Sequence, residues 1–327
     1  MASNTKISAA VFIGSYTIQM LVARIAPNVF EIINEYTSYS KLTDPMQPDR
    51  LPREGMDQTQ KALCEMREIA LGLGASEIRI CASPAIRRKV NRSQFLLECS
   101  GVFGVLPQIL SGRDESRLDY IGAMTDAFST LPMIAVRIGG NSCQLAYGTS
   151  EKIVKAVDLD FGIVELNRKF ELNERKIGFF KQIALHNYIR EKLRPESADY
   201  LEWKKSLSLD PEMMAIGAIP FACLKFLNGE SVPDDQTAVS AIPPTAGSIA
   251  ELSRKLLSLN RNGLQALPGI DPEIKPTIRG GISLLRGFLE FAQVYDFRAT
   301  PYGLCAGILK SPANVFSTAE LSRQSAN

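Results

Sequence analysis

The chain has 327 residues, 45% of them hydrophobic and 22% charged, with a formal net charge of +2. That length supports two domains with cores of their own. The near-neutral balance, without a lysine or arginine block, argues against a dedicated nucleic-acid binder. No apolar run approaches a membrane span and the start lacks the apolar centre of a signal peptide, so no membrane partner and cytoplasmic residence are expected.

The first predicted element is a hairpin. An apolar run through Ala9, Ala10, Val11, Phe12 and Ile13 meets Gly14-Ser15, and an alternating run follows from Thr17 to Ala23. A third strand is expected near 29–36, then a polar, proline-containing connection over 41–52. Residues 54–73 carry apolar positions at helical spacing and end on Gly72-Leu73-Gly74. A short buried strand at 78–82, a helix at 91–103, a strand at 105–110 and a helix at 114–128 complete a first lobe, 1–130. A second lobe, 131–310, opens on another hairpin, with Gly139-Gly140-Asn141-Ser142 between two apolar runs. Then come a strand at 153–160, a mostly helical stretch at 163–207, a strand at 213–219 and a helix at 221–227. A surface loop is expected over 228–247, helices over 248–259 and 281–294, a strand over 297–300 and a short element over 303–309. A polar tail, 311–327, closes the chain.

Three strands followed by alternating helix and strand suit an α/β lobe of ribonuclease H-like type. Two glycine hairpins about 125 residues apart suggest that the pattern occurs twice. Glycine turns let a backbone approach a ligand closely, and their successive N–H groups form a concavity suited to phosphate. Each turn alone is also compatible with an ordinary hairpin. Cys64, Cys81, Cys99, Cys143, Cys223 and Cys305 are dispersed without a paired spacing and read as reduced, mostly buried residues. With His186 as its one histidine, the chain is a poor candidate for a histidine-based triad or metal site.

Several segments in order carry a resemblance. They are Phe12-Ile13-Gly14-Ser15-Tyr16-Thr17, Ala82-Ser83-Pro84-Ala85-Ile86-Arg87, Ser111-Gly112-Arg113-Asp114-Glu115 and Arg137-Ile138-Gly139-Gly140-Asn141-Ser142-Cys143-Gln144. Phe161-Gly162-Ile163-Val164, Leu267-Pro268-Gly269 with Gly280-Gly281, and Gly303-Leu304 continue the series. Over residues 7–310 the chain resembles the Ppx/GppA family of exopolyphosphatases and guanosine pentaphosphate phosphohydrolases. The resemblance implies two ribonuclease H-like (actin-like ATPase) lobes with an interlobe cleft. It implies that Gly14, Ser15, Tyr16, Thr17, Ser83, Arg87, Gly139, Gly140, Asn141 and Ser142 contact phosphate, with Glu115 as general base on water. Asp114 is adjacent, so that register is open by one residue.

Where active relatives carry carboxylates that place Mg²⁺, this chain has Phe12, Arg137 and Gln144, and Cys305-Ala306 replace a closing Arg-Glu pair. Mg²⁺ requires near-octahedral oxygen ligands, and those three side chains supply at most one amide oxygen. The expectation is therefore a protein that binds polyphosphate or a phosphorylated nucleotide, with Arg137 and Gln144 facing phosphate, no protein metal ligand and little or no hydrolysis. Arg137 could equally be a drifted residue that turns to solvent or pairs with an acid. A working phosphoanhydride hydrolase with relocated ligands, drawn from Asp114, Asp119, Asp158 and Asp160, is the alternative. A sugar or acetate kinase of the same superfold fits less well, because Gly217-Ala218-Ile219-Pro220 is a poor adenosine-binding motif. A homodimer is suggested by family analogy alone.

Overall fold

The computed structural model describes residues 5–27, 29–40, 42, 49–127, 131–173, 175–228, 243–267 and 270–321. Its first hairpin joins β1 (Lys6–Ile13) to β2 (Thr17–Ala26), and β3 (Val29–Tyr39) extends the antiparallel meander. Helix α1 (Arg53–Gly72) follows, its buried Met56, Thr59, Ala62, Leu63, Met66 and Ala70 recurring at helical spacing. Gly74, at φ +82°, turns the chain into β4 (Glu77–Ala82), which lies parallel to β1. A 3-10 turn (Pro84–Ile86), α2 (Arg92–Phe103), β5 (Gln108–Ile109) and α3 (Gly112–Ala123) complete this run.

The second run repeats the topology. Strands β6 (Met133–Ile138), β7 (Cys143–Gly148) and β8 (Ile153–Leu159) form an antiparallel meander. Helices α4 (Ile163–Phe170) and α5 (Phe179–Lys205) precede β9 (Glu212–Ile216), which is parallel to β6. Helices α6 (Ala218–Asn228), α7 (Ala246–Ser258), α8 (Arg261–Gln265) and α9 (Ile278–Ala292) lead to β10 (Arg298–Thr300), parallel to β9. Helix α10 (Leu304–Lys310) and β11 (Thr318–Glu320) end the described chain, β11 pairing antiparallel with β4. The sheet orders are β11-β4-β1-β2-β3, with β5 also on β4, and β10-β9-β6-β7-β8. Each unit is thus α/β with the strand order expected of a ribonuclease H-like lobe.

Contacts divide the chain into Met1–Thr125 with Leu304–Asn327, and Asp126–Gly303. Residues 304–310, placed with the second lobe on sequence, therefore pack with the first. Two contacts hold them there. Arg79, 6% exposed, donates to the carbonyls of Ile308 and Ser311, each at 2.7 Å. Gly307 lies so near α3 that a Cβ on it would sit 1.9 Å from the Leu118 carbonyl oxygen. Other differences are local. The strand expected at 105–110 shrinks to Gln108–Ile109, and the one at 213–219 stops at Ile216, because Gly217 adopts φ +107°. The stretch 163–207 is two helices, and α5 runs through Pro195. The predicted loop at 228–247 and the connection at 41–52 lie largely outside the described residues, as do Phe128, Pro268 and Gly269. Among the described residues no helix is long and apolar enough to cross a membrane.

The two cores follow the strand pleat. In the first unit Ala9, Val11, Ile13, Ile18, Met20, Ile78 and Ile80 face α1 and α2. The alternating residues of β1, β2 and β4, among them Ser8, Phe12, Gln19 and Cys81, take the other face. In the second unit Ile134, Val136, Ile138, Cys143, Leu145 and Leu159 face the helical core, so Arg137, Gln144 and Asp158 take its other face.

Candidate functional site

In the first unit the candidate residues gather at the carboxyl ends of the parallel strands β1, β4 and β5, where ligands of open α/β sheets sit. The Gly14 N–H donates to the Thr17 carbonyl at 2.9 Å, closing the turn that holds Ser15 and Tyr16. A Cβ on Gly14 would sit 2.7 Å from that carbonyl oxygen, so the turn requires glycine. The Ser40 N–H donates to the Tyr16 carbonyl at 3.0 Å and braces the turn against β3. The Ser83 N–H donates to the Ile13 carbonyl at 2.9 Å, which brings Ser83 beside the turn. Arg87 is exposed, and its Nη2 donates to the Leu110 carbonyl at 3.1 Å, just before α3.

Helix α3 separates the two neighbouring acids. Ser111 caps it by accepting from the Asp114 N–H, and the Asp114 carboxylate answers the Ser111 N–H in a capping box. Glu115 is instead 2% exposed, and Asp119, one turn on, is 1% exposed. Burial pushes the Cys81 thiol up to about 12, with Arg79 lowering it and Glu115 raising it. Phe12, the strand neighbour of Cys81 and of Gln19, shares their sheet face and is 3% exposed.

The second turn is built differently. A Cβ on Gly139 would lie 2.3 Å from the Ser142 carbonyl oxygen. The first amides of α4 take up the turn's carbonyls, Ile163 donating to Gly139 at 3.1 Å and Val164 to Gly140 at 2.8 Å. These bonds satisfy donors that a helix start otherwise leaves unmet. In a trans peptide the C=O and N–H point opposite ways, so the N–H groups of Gly140 and Asn141 point away from α4. Gly162 permits this seat, since a Cβ on it would meet the Gly140 oxygen at 2.4 Å. Apart from the family resemblance, the sequence signal for Gly162 is a glycine directly ahead of an amphipathic helix.

Arg137, Gln144 and Asp158 are successive partners across β6, β7 and β8 and form a row on one sheet face. Gln144 is 1% exposed, Arg137 is half-buried and Asp158 is exposed. Gln144 Nε2 donates to Ser142 Oγ at 2.9 Å and to Asp158 Oδ1 at 2.6 Å. Its Oε1 is buried and has no hydrogen-bond partner among the described residues. Cys143, behind this row, is pushed up to about 12, by burial first; Arg137 lowers it and Asp158 raises it, so both charges reach it. Asp160 is exposed one residue beyond β8.

Residues 21–315 match the Ppx/GppA phosphatase family. The chain belongs to that family. Among solved structures, the Aquifex aeolicus PPX-GPPA enzyme superposes with a TM-score of 0.77 at 19% identity, covering 93% of this chain and 99% of that one. An exopolyphosphatase from Cytophaga hutchinsonii gives a TM-score of 0.81 at 16% identity, covering 93% and 96%. These likenesses establish the fold, that of the actin-like ATPases with its two lobes, for this Ppx/GppA member. Family membership associates the chain with phosphate-bearing substrates, bound or hydrolysed.

Proposed function

We propose that this Ppx/GppA member binds phosphorylated ligands of the polyphosphate or guanosine polyphosphate class at its glycine turns, with little or no hydrolysis. The observation that carries this reading is the row Arg137–Gln144–Asp158 beside the second turn. A guanidinium there attracts phosphate oxygens and repels a cation. The amides of Gly140 and Asn141 and the Ser142 hydroxyl would add donors there, and in the first unit Gly14–Thr17, Ser83 and Arg87 would form a donor set of their own. Glu115, buried on α3, would be the base for whatever hydrolysis remains.

The donor set does not fit Mg²⁺ held as active relatives hold it. Phe12 offers no oxygen, Gln144 offers one amide oxygen, and the carboxylate in the row, Asp158, is engaged by the Gln144 amide with Arg137 next along. Calorimetric titration of tripolyphosphate and of guanosine tetraphosphate, with and without chelator, tests the reading. Binding that ignores the chelator supports it, and binding that needs added Mg²⁺ refutes it.

One observation favours a second reading. Asp158 stands directly across from Gln144, so a hydrolase with a relocated carboxylate would use it. Phosphate release measured over several divalent metals, abolished by Asp158→Asn, would select that reading instead.

A further inference from the structure

Asn91 stands at the amino end of α2, where an asparagine usually accepts from the amides of its own helix. Its side chain makes no such bond. Instead its Oδ1 accepts from the Leu51 N–H at 2.9 Å and its Nδ2 donates to the Leu51 carbonyl at 3.0 Å. One side-chain amide thus answers both backbone groups of a single residue, as a neighbouring strand would. Beside it the Val90 N–H donates to the Asp49 carbonyl at 2.8 Å. Leu51 is 1% exposed and belongs to the first core, so the amide grips a fixed point.

The gripped segment is the one that carries Ser83 and Arg87. Tight turns follow one another through it: the Ile86 N–H donates to the Ser83 carbonyl at 3.1 Å, Arg87 to Pro84 at 3.0 Å, Lys89 to Ile86 at 3.1 Å and Arg92 to Lys89 at 3.2 Å. Arg92 Nη1 also donates to the Arg87 carbonyl. One end is held by the Ser83 N–H on the Ile13 carbonyl and the other by Asn91. We propose that Asn91 is a positioning residue for Arg87. By pinning the far end of 83–92 to Leu51, it fixes where the Arg87 guanidinium lies against the Leu110 carbonyl. The consequence for ligand affinity rests on the phosphate-binding reading; the positioning itself does not.

The test uses the full chain with Asn91→Ser and Asn91→Asp. Both residues cap a helix as well as asparagine does, so α2 keeps its start. Serine is too short to reach Leu51, and aspartate cannot donate to its carbonyl. In both variants the Leu51 and Val90 amides are expected to exchange with solvent at least about tenfold faster, while the Cys99 amide inside α2 keeps its rate. The Arg87 Nε–H signal in ¹⁵N–¹H spectra, assigned by its disappearance in Arg87→Lys, moves to the position of a mobile arginine. Asn91→Ser weakens tripolyphosphate binding, read by calorimetry, about threefold in the wild-type background and not at all in Arg87→Ala. Unchanged exchange at Leu51 and Val90 overturns the clamp, and an unmoved Arg87 signal overturns the positioning. An equal loss of affinity in both backgrounds shows that Asn91 does not act through Arg87 and overturns the binding consequence. If no form binds tripolyphosphate, the phosphate-binding reading fails while exchange and the Arg87 signal still decide the role of Asn91.

Discussion

The two glycine turns share a backbone device and differ in what surrounds it. Ile13-Gly14 runs to Gln19 with the same spacing as Ile138-Gly139 to Gln144, and Phe12 pairs with Gln19 as Arg137 pairs with Gln144. In each, a Cβ added to the glycine would collide with the carbonyl oxygen three residues on, at 2.7 Å from that of Thr17 and 2.3 Å from that of Ser142. The bracing diverges. The first turn is tied to β3 through Ser40, and the second is seated on the amino end of α4. So does the row beside it: Cys81–Phe12–Gln19–Thr37 in one unit, Arg137–Gln144–Asp158 in the other. Close approach dictates the glycines, whereas the side chains two positions away differ in charge and polarity between the units.

Equivalent rows should respond unequally to truncation. Phe12→Ala removes a buried ring and is expected to cost about 3–5 kcal/mol of stability. Arg137→Ala, at the matching half-buried position, should stay within about 1 kcal/mol. Urea unfolding of the two variants checks the contrast, and equal losses would break it. The glycines themselves sharpen it. Adding a methyl against an immovable carbonyl costs about 1–3 kcal/mol. Gly139→Ala belongs near the top of that range and Gly14→Ala lower, following their 2.3 and 2.7 Å approaches. A reversed order in thermal melts would show that the turn, not the clash, sets the cost.

Ligand binding gives the smaller effects. Arg137→Ala is expected to weaken tripolyphosphate binding about 10- to 100-fold, the loss of a charge-assisted contact. Arg87→Ala should weaken it less, about threefold to tenfold, because its guanidinium is partly engaged by the Leu110 carbonyl. Calorimetry on both variants ranks the turns, and a larger loss at Arg87 would move the main phosphate contact to the first unit.

Much of this was legible beforehand. Glycine between an apolar run and an alternating run marks both hairpins, because a strand period of two and a turn with no room for a Cβ leave few other solutions. The capping box at Ser111 and Asp114 bears on a register left open by one residue, since it engages Asp114 and not Glu115. Three features were hidden. The return of 304–310 to the first unit depends on Arg79 and Gly307 meeting partners far away in sequence. The stretch 163–207, read as mostly helical, divides into α4 and α5. The pairing of Gln144 with Asp158 depends on strand register, and a slip of one residue would put them on opposite faces.

Whether a divalent cation seats beside the second turn is the central question, and anomalous diffraction from crystals grown with Mn²⁺ and tripolyphosphate answers it. The account predicts phosphate density against Arg137 and the amides of Gly140 and Asn141, with no anomalous peak within bonding distance of Gln144 or Asp158. A strong peak coordinated by Gln144 Oε1 and Asp158 would contradict it.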